Sequence, residues 1–186
     1  MFPTYFQLGF EHITDINGYD HMLFLLALCA AYLYTDWKKI LILVTAFTIG
    51  HSVTLVLAVL NIIPVNSAWI EFLIPVTIVA TAVKNLLAKN DKKATFTYVM
   101  ALAFGLIHGM GFSNYLRSLL GDELLLPLFA FNAGIEIGQL IVVLFVFGLQ
   151  FALIKAISVK HKHWNTVVSL MTGVISLLLA AQRIPF

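Results

Sequence analysis

Seven side chains in this sequence have the types and positions for metal or proton chemistry. His12, Asp20 and His21 fall within EHITDINGYDHMLFLLAL, residues 11–28, where imidazoles and carboxylates stand at the head of a long apolar run. His51, His108 and Glu136 each sit inside a further apolar segment, and Glu71 lies just after Trp69 at the edge of another. Titratable groups are costly in hydrocarbon and, where they cluster, mark binding or proton-carrying sites. Imidazole and carboxylate donors together suit zinc, nickel or cobalt in a four- to six-coordinate shell. A second chemistry is open to the same set: three histidines holding zinc would lower the pKa of its water to about 7, with Glu136 or Asp20 as general base of a hydrolase.

Each of these residues also has a plainer reading. Asp20 is well placed as a helix N-cap, and a single histidine inside a bundle is often a hydrogen-bonded packing residue. Glu136 is harder to assign to packing, because a deep carboxylate must be protonated, paired or bound to a cation. Asn132, one turn before it, is placed to hydrogen-bond it. His161 and His163, in KHKH, read as solvated loop residues. Cys29, the single cysteine, sits in an apolar run and offers neither a disulfide nor a CxxC site.

The elements that must position these groups are membrane helices. Of 186 residues, 61% are hydrophobic and 11% charged, less than half the charge of a soluble domain at about 25%; mean hydropathy is +0.96. With about 20 residues needed per crossing, the chain is an all-α integral membrane protein, a single transmembrane domain over 1–186. About six spans are expected near 20–34, 40–60, 69–87, 95–112, 124–157 and 164–181. Before them, Phe2, Phe6, Phe10 and Ile13 recur at helical spacing and predict a short N-terminal amphipathic helix, ended by an Asn17-Gly18 turn. No basic stretch precedes the first apolar run, so the first span is expected to act as the insertion signal. The net charge of +2 comes from loop lysines and points to no nucleic-acid partner.

Basic residues mark cytoplasmic loops. Lys38, Lys39, Lys84, Lys89, Lys92, Lys93, Lys155, Lys160 and Lys162 fall around loops one, three and five, against Arg117 and Arg183 on the other side. Both termini are therefore expected outside. That orientation places His12, His21, His51, His108 and Glu136 in the outer half of the membrane, where four segments would bring them together. Pro75 leaves the carbonyl of Glu71 without its helical donor and is expected to kink the third span beside a wet cavity. The glycines around His108 and Glu136, Gly105 and Gly109 and then Gly134 and Gly138, form GxxxG spacings expected to draw the fourth and fifth spans together.

The stretches GFEHITDINGYDHMLFLLAL, TAFTIGHSVTLVLA, WIEFLIPVTIVATAVKN, AFGLIHGMGFS and FNAGIEIGQL together resemble the shorter branch of the HupE/UreJ family. These are membrane proteins associated with hydrogenase and urease and regarded as nickel or cobalt permeases. The resemblance implies a six- or seven-span bundle and a metal site from His12, Asp20, His21, His51, His108 and Glu136, with Glu71 as a further candidate. It also implies a bacterial inner-membrane location, with a homo-oligomer or metalloenzyme-maturation factors as partners. Without a nucleotide-binding GxxxxGK[ST] motif, uptake would draw on an ion gradient, a partner ATPase or the membrane potential. The last contributes about 4.6 kcal/mol for a divalent ion at 100 mV. Three functions follow: a permease, an intramembrane zinc-dependent hydrolase acting on a lipid or membrane peptide, or a metal-storage or sensory subunit.

Overall fold

The computed structural model describes residues 1–15, 18–87, 94–120 and 124–185; Asn17 of the expected turn and the lysines of the loop over 89–93 lie outside them. Helices account for every regular element among the described residues. These are α1 (Phe2–Thr14), α2 (Asp20–Ala30), α3 (Trp37–Val59), α4 (Ser67–Leu87), α5 (Ala94–Gly111), α6 (Ser113–Leu119), α7 (Leu125–Ala156) and α8 (His161–Gln182), with a 3-10 turn over Tyr34–Asp36. Four stretches are long and apolar enough to cross a membrane, Tyr34–Val59, Ser67–Leu87, Leu125–Ala156 and His161–Gln182. A fifth crossing forms if α5 and α6, bent by 50° at Phe112, count as one.

The first span departs from its expected form. At 11 residues, α2 covers only about 16 Å, roughly half the hydrocarbon thickness. The short helix before it, α1, packs along α7. Gly134 packs on the backbone of Phe6 and Phe10, and Gly138 on Phe10 and Ile13, so α1 runs parallel to the first half of α7. Further along α7, Gln150 bonds the chain just beyond α2. From Phe6 to Tyr34 the chain thus follows α7 from Gly134 to Gln150, about 24 Å of helix. The two short helices thus follow one another along α7, with a break between them.

A short helix that ends inside the bundle leaves carbonyls and amides that lipid cannot satisfy. At the C-terminal end of α2, side chains from neighbours supply the partners. Gln150 accepts from the amide of Tyr34 at 2.7 Å and donates to the carbonyl of Tyr32 at 2.9 Å, while Asn85 donates to Ala27 O at 2.7 Å. Eight of the 11 residues of α2 are buried, which is why this helix is apolar on all sides. Around it α4 and α8 pack together and are tied by Asn85 to Ser169 and Asn165 to the Asn85 carbonyl.

Glycines set the closest approaches. A methyl group at Gly105 would overlap the Phe47 carbonyl and one at Gly109 the His51 carbonyl, so α5 lies directly on α3. The expected pairing of the two GxxxG segments with each other is replaced by two separate contacts: the first serves α3, the second α1. A GxxxG face specifies close packing but not its partner.

Candidate metal centre at the helix break

His12 ends α1 and His21 opens α2, so the break itself presents two imidazoles, with ring centroids 4.6 Å apart. On α3, His51 stands 6.0 and 6.1 Å from these two rings. One donor atom from each of the three histidines lies within 4.8 Å of the other two. An ion centred among them would be at most about 2.8 Å from each nitrogen, so shifts of under about 1 Å reach the usual 2.0–2.1 Å bond.

His108 on α5 joins from the side, 5.1 Å from His21 by ring centroid. His51 and His108 are essentially fully buried and His21 nearly so. Yet His12 Nε2, His21 Nε2, both ring nitrogens of His51, His108 Nδ1 and Asp20 Oδ1 are buried without a hydrogen-bond partner among the described residues. Each unsatisfied group costs about 1–3 kcal/mol, and imidazole nitrogens, one from each ring, are donors suited to a transition-metal ion.

Thr77 on α4 fixes the state of His108. Its hydroxyl donates to Ile74 O at 2.7 Å, so toward His108 Nε2, 3.2 Å away, the oxygen acts as acceptor. The hydrogen-bond pattern therefore assigns the proton to Nε2 and leaves the Nδ1 lone pair bare. Orientation of a ligand histidine through its second nitrogen is a recurrent property of metal sites. Sequence reasoning missed Thr77, since threonines on apolar helices are common and nothing in the spacing marks this one.

Aromatic rings enclose the cluster. Phe112, at the α5–α6 bend, lies 4.1 Å from the His12 ring and stacks on Phe131. Phe24 and Phe47 lie 5.6 and 5.1 Å from His108. On one side a vestibule of about 990 Å³ opens, lined by His12, His21 and His108 together with Glu11, Asp20 and Glu71. Glu71 and Ile74 line this vestibule, and α4 continues as one helix through Pro75.

Glu136 is placed elsewhere. Its Oε1 accepts from Thr45 at 2.7 Å, and the same α3–α7 interface holds Thr48 to Gln139 and Ser52 to Asn132, each bonded through its side chain. These six residues form a polar ladder outside the three-histidine group. Asn132, expected to bond Glu136, instead pairs with Ser52 and the Leu128 carbonyl. His161 and His163 sit at the start of α8, remote in the chain from the break and outside the histidine group.

A family model described as HupE / UreJ protein matches residues 1–183. The chain belongs to the HupE/UreJ family. No curated protein and no solved structure matches it. In this HupE/UreJ chain the motif stretches with which the resemblance began are the ones that supply the cluster: α1 and α2 carry His12, Asp20 and His21, α3 carries His51, and α5 carries His108.

Proposed function

We infer that this HupE/UreJ protein binds a divalent transition metal at the helix break and passes it across the membrane as a nickel- or cobalt-type permease. The observation that carries this reading is the set of three imidazole donors within 4.8 Å of one another, at the break between two short helices. Broken helices whose ends meet at a buried polar site are a recurring architecture of ion and solute transporters. His12, His21 and His51 hold the ion, with Asp20 and His108 completing the shell; Glu71, on the vestibule wall, attracts it. Glu136 acts away from the three histidines, on the α3–α7 ladder, as a later station for the ion. With both termini outside a bacterial inner membrane, the vestibule faces the periplasm and the membrane potential favours uptake.

The opposite side of the cluster supports transport over hydrolysis. Beneath the histidines Phe24 packs on Phe47 at 4.8 Å and approaches Phe104 at 6.2 Å, forming a floor. Under that floor lies a second, small cavity of about 20 Å³, mostly apolar in lining, with Thr81, Lys84, Asn85 and Thr97 on its wall. Thr77, Thr81 and Asn85 recur at four-residue spacing, so one polar face of α4 leads from His108 toward that cavity. A polar helix face that continues past the histidines suits a permease better than a hydrolase.

Metal content of the purified protein, with nickel and zinc uptake into proteoliposomes, tests the reading. Wild type is expected to bind and to transport, and His21→Ala, His51→Ala and His108→Ala to lose both. Tight binding with no flux would reject the permease and direct attention to zinc-dependent hydrolysis of lipids or peptides. Absence of binding in wild type would reject the metal site itself.

A further inference from the structure

Arg183 stands at the C-cap of α8 and crosses the vestibule mouth to α2, where its Nη1 donates to Asp20 Oδ2 at 2.9 Å. Lysines and other arginines do not contribute to the vestibule wall among the described residues, whereas Glu11, Asp15, Asp20 and Glu71 all do. In a chamber that collects cations, one fixed guanidinium is out of keeping. The pair is also not a loosely solvated surface contact, since the two side chains are 29% and 16% exposed. Asp20's second oxygen, Oδ1, is buried and without a hydrogen-bond partner, one residue from His21.

The Asp20 carboxylate is thus divided: one oxygen is held by the guanidinium and the other remains unbonded beside the imidazole cluster. We propose that Arg183 sets the affinity of the metal site, sharing Asp20 with the incoming cation so that the ion is held weakly enough to leave. This inference rests on the metal-binding reading above. Neutral imidazoles, one carboxylate and one guanidinium sum to zero charge; with the guanidinium removed, the same donors carry a full negative charge. Passage through a binding site requires that the ion enter favourably yet leave readily. A site built for storage or catalysis gains nothing from a cation anchored at its acidic ligand.

The alternative role for Arg183 is a tie between α8 and α2. The two roles predict opposite signs. If Arg183 only tied the helices, its removal would loosen Asp20 and weaken metal binding together with thermal stability. If it sets affinity, its removal strengthens binding.

The test is calorimetric titration of the purified, metal-free full chain with nickel alone, using wild type, Arg183→Gln, Arg183→Lys, Asp20→Asn and the double variant Asp20→Asn/Arg183→Gln. Thermal unfolding without metal is measured in parallel. We expect Arg183→Gln to bind nickel at least about tenfold more tightly, from relief of charge repulsion, and Arg183→Lys to bind as wild type does. Asp20→Asn should bind more weakly, and the double variant more tightly than Asp20→Asn alone. Should Arg183→Gln fail to fold, the comparison of the double variant with Asp20→Asn decides, because it leaves no carboxylate unpaired. Unchanged or weaker binding on loss of Arg183 overturns the proposal while leaving the metal site standing. A wild type that binds no nickel overturns both, and the two failures are thereby distinguished.

Discussion

Replacing Thr77 by valine keeps the side chain nearly the same shape and removes only its hydroxyl. In the wild type that oxygen accepts from His108 Nε2–H at 3.2 Å while donating to Ile74 O at 2.7 Å. His108 is 1% exposed, so no solvent replaces the lost acceptor. The ring then has two choices. It can keep its proton on Nε2 with no partner, at a cost of about 1–3 kcal/mol. Or it can move the proton to Nδ1, which has no hydrogen-bond partner among the described residues, and so lose the lone pair offered to a metal. Either choice weakens His108 as a ligand, and losses of this kind reduce metal affinity by about 10–100-fold, equivalent to about 1.4–2.8 kcal/mol. Nickel titration of Thr77→Val measures the loss directly, with thermal unfolding of the metal-free protein alongside. Thr77→Ser, which restores the hydroxyl, is expected to recover most of the affinity. The reasoning is refuted if Thr77→Val binds nickel as wild type does, or if Thr77→Ser loses as much as Thr77→Val.

Other perturbations reach the site through packing. Gly105→Ala forces α5 away from the Phe47 carbonyl, an overpacking cost of about 1–3 kcal/mol; a lower unfolding temperature and weaker nickel binding should appear together, because the two separated helices carry His108 and His51. Gln150→Leu removes the acceptor of the Tyr34 amide and a donor to the Tyr32 carbonyl just beyond the C-terminal end of α2 and is expected to destabilise the fold by about 1–3 kcal/mol, as read by thermal unfolding. Glu136→Gln retains the acceptor for Thr45, so equilibrium nickel binding should persist while His51→Ala abolishes it; loss of binding in Glu136→Gln would place that carboxylate in the coordination shell.

The class of protein, the rough positions of its helices and the residue types that make up the histidine cluster were legible in the sequence. Composition and the length of each apolar run demand a helical membrane bundle, because a backbone in lipid must satisfy its own hydrogen bonds. Histidines and carboxylates within such runs are expensive enough to stand out, and their common depth follows from counting residues at 1.5 Å each. Only the tertiary structure decided which of them meet. His12 precedes the apolar run and would have stayed at the surface had α1 lain flat, but its packing along α7 carries the imidazole down to His21. Glu136 faces Thr45 rather than the histidines, since a residue count gives depth along a helix and not the angle around it. Thr77, Gln150 and Arg183 bear ordinary residue types at unremarkable spacings. Their roles arise from partners 31, 116 or 163 positions away in the chain, and such pairings exist only once the helices have packed.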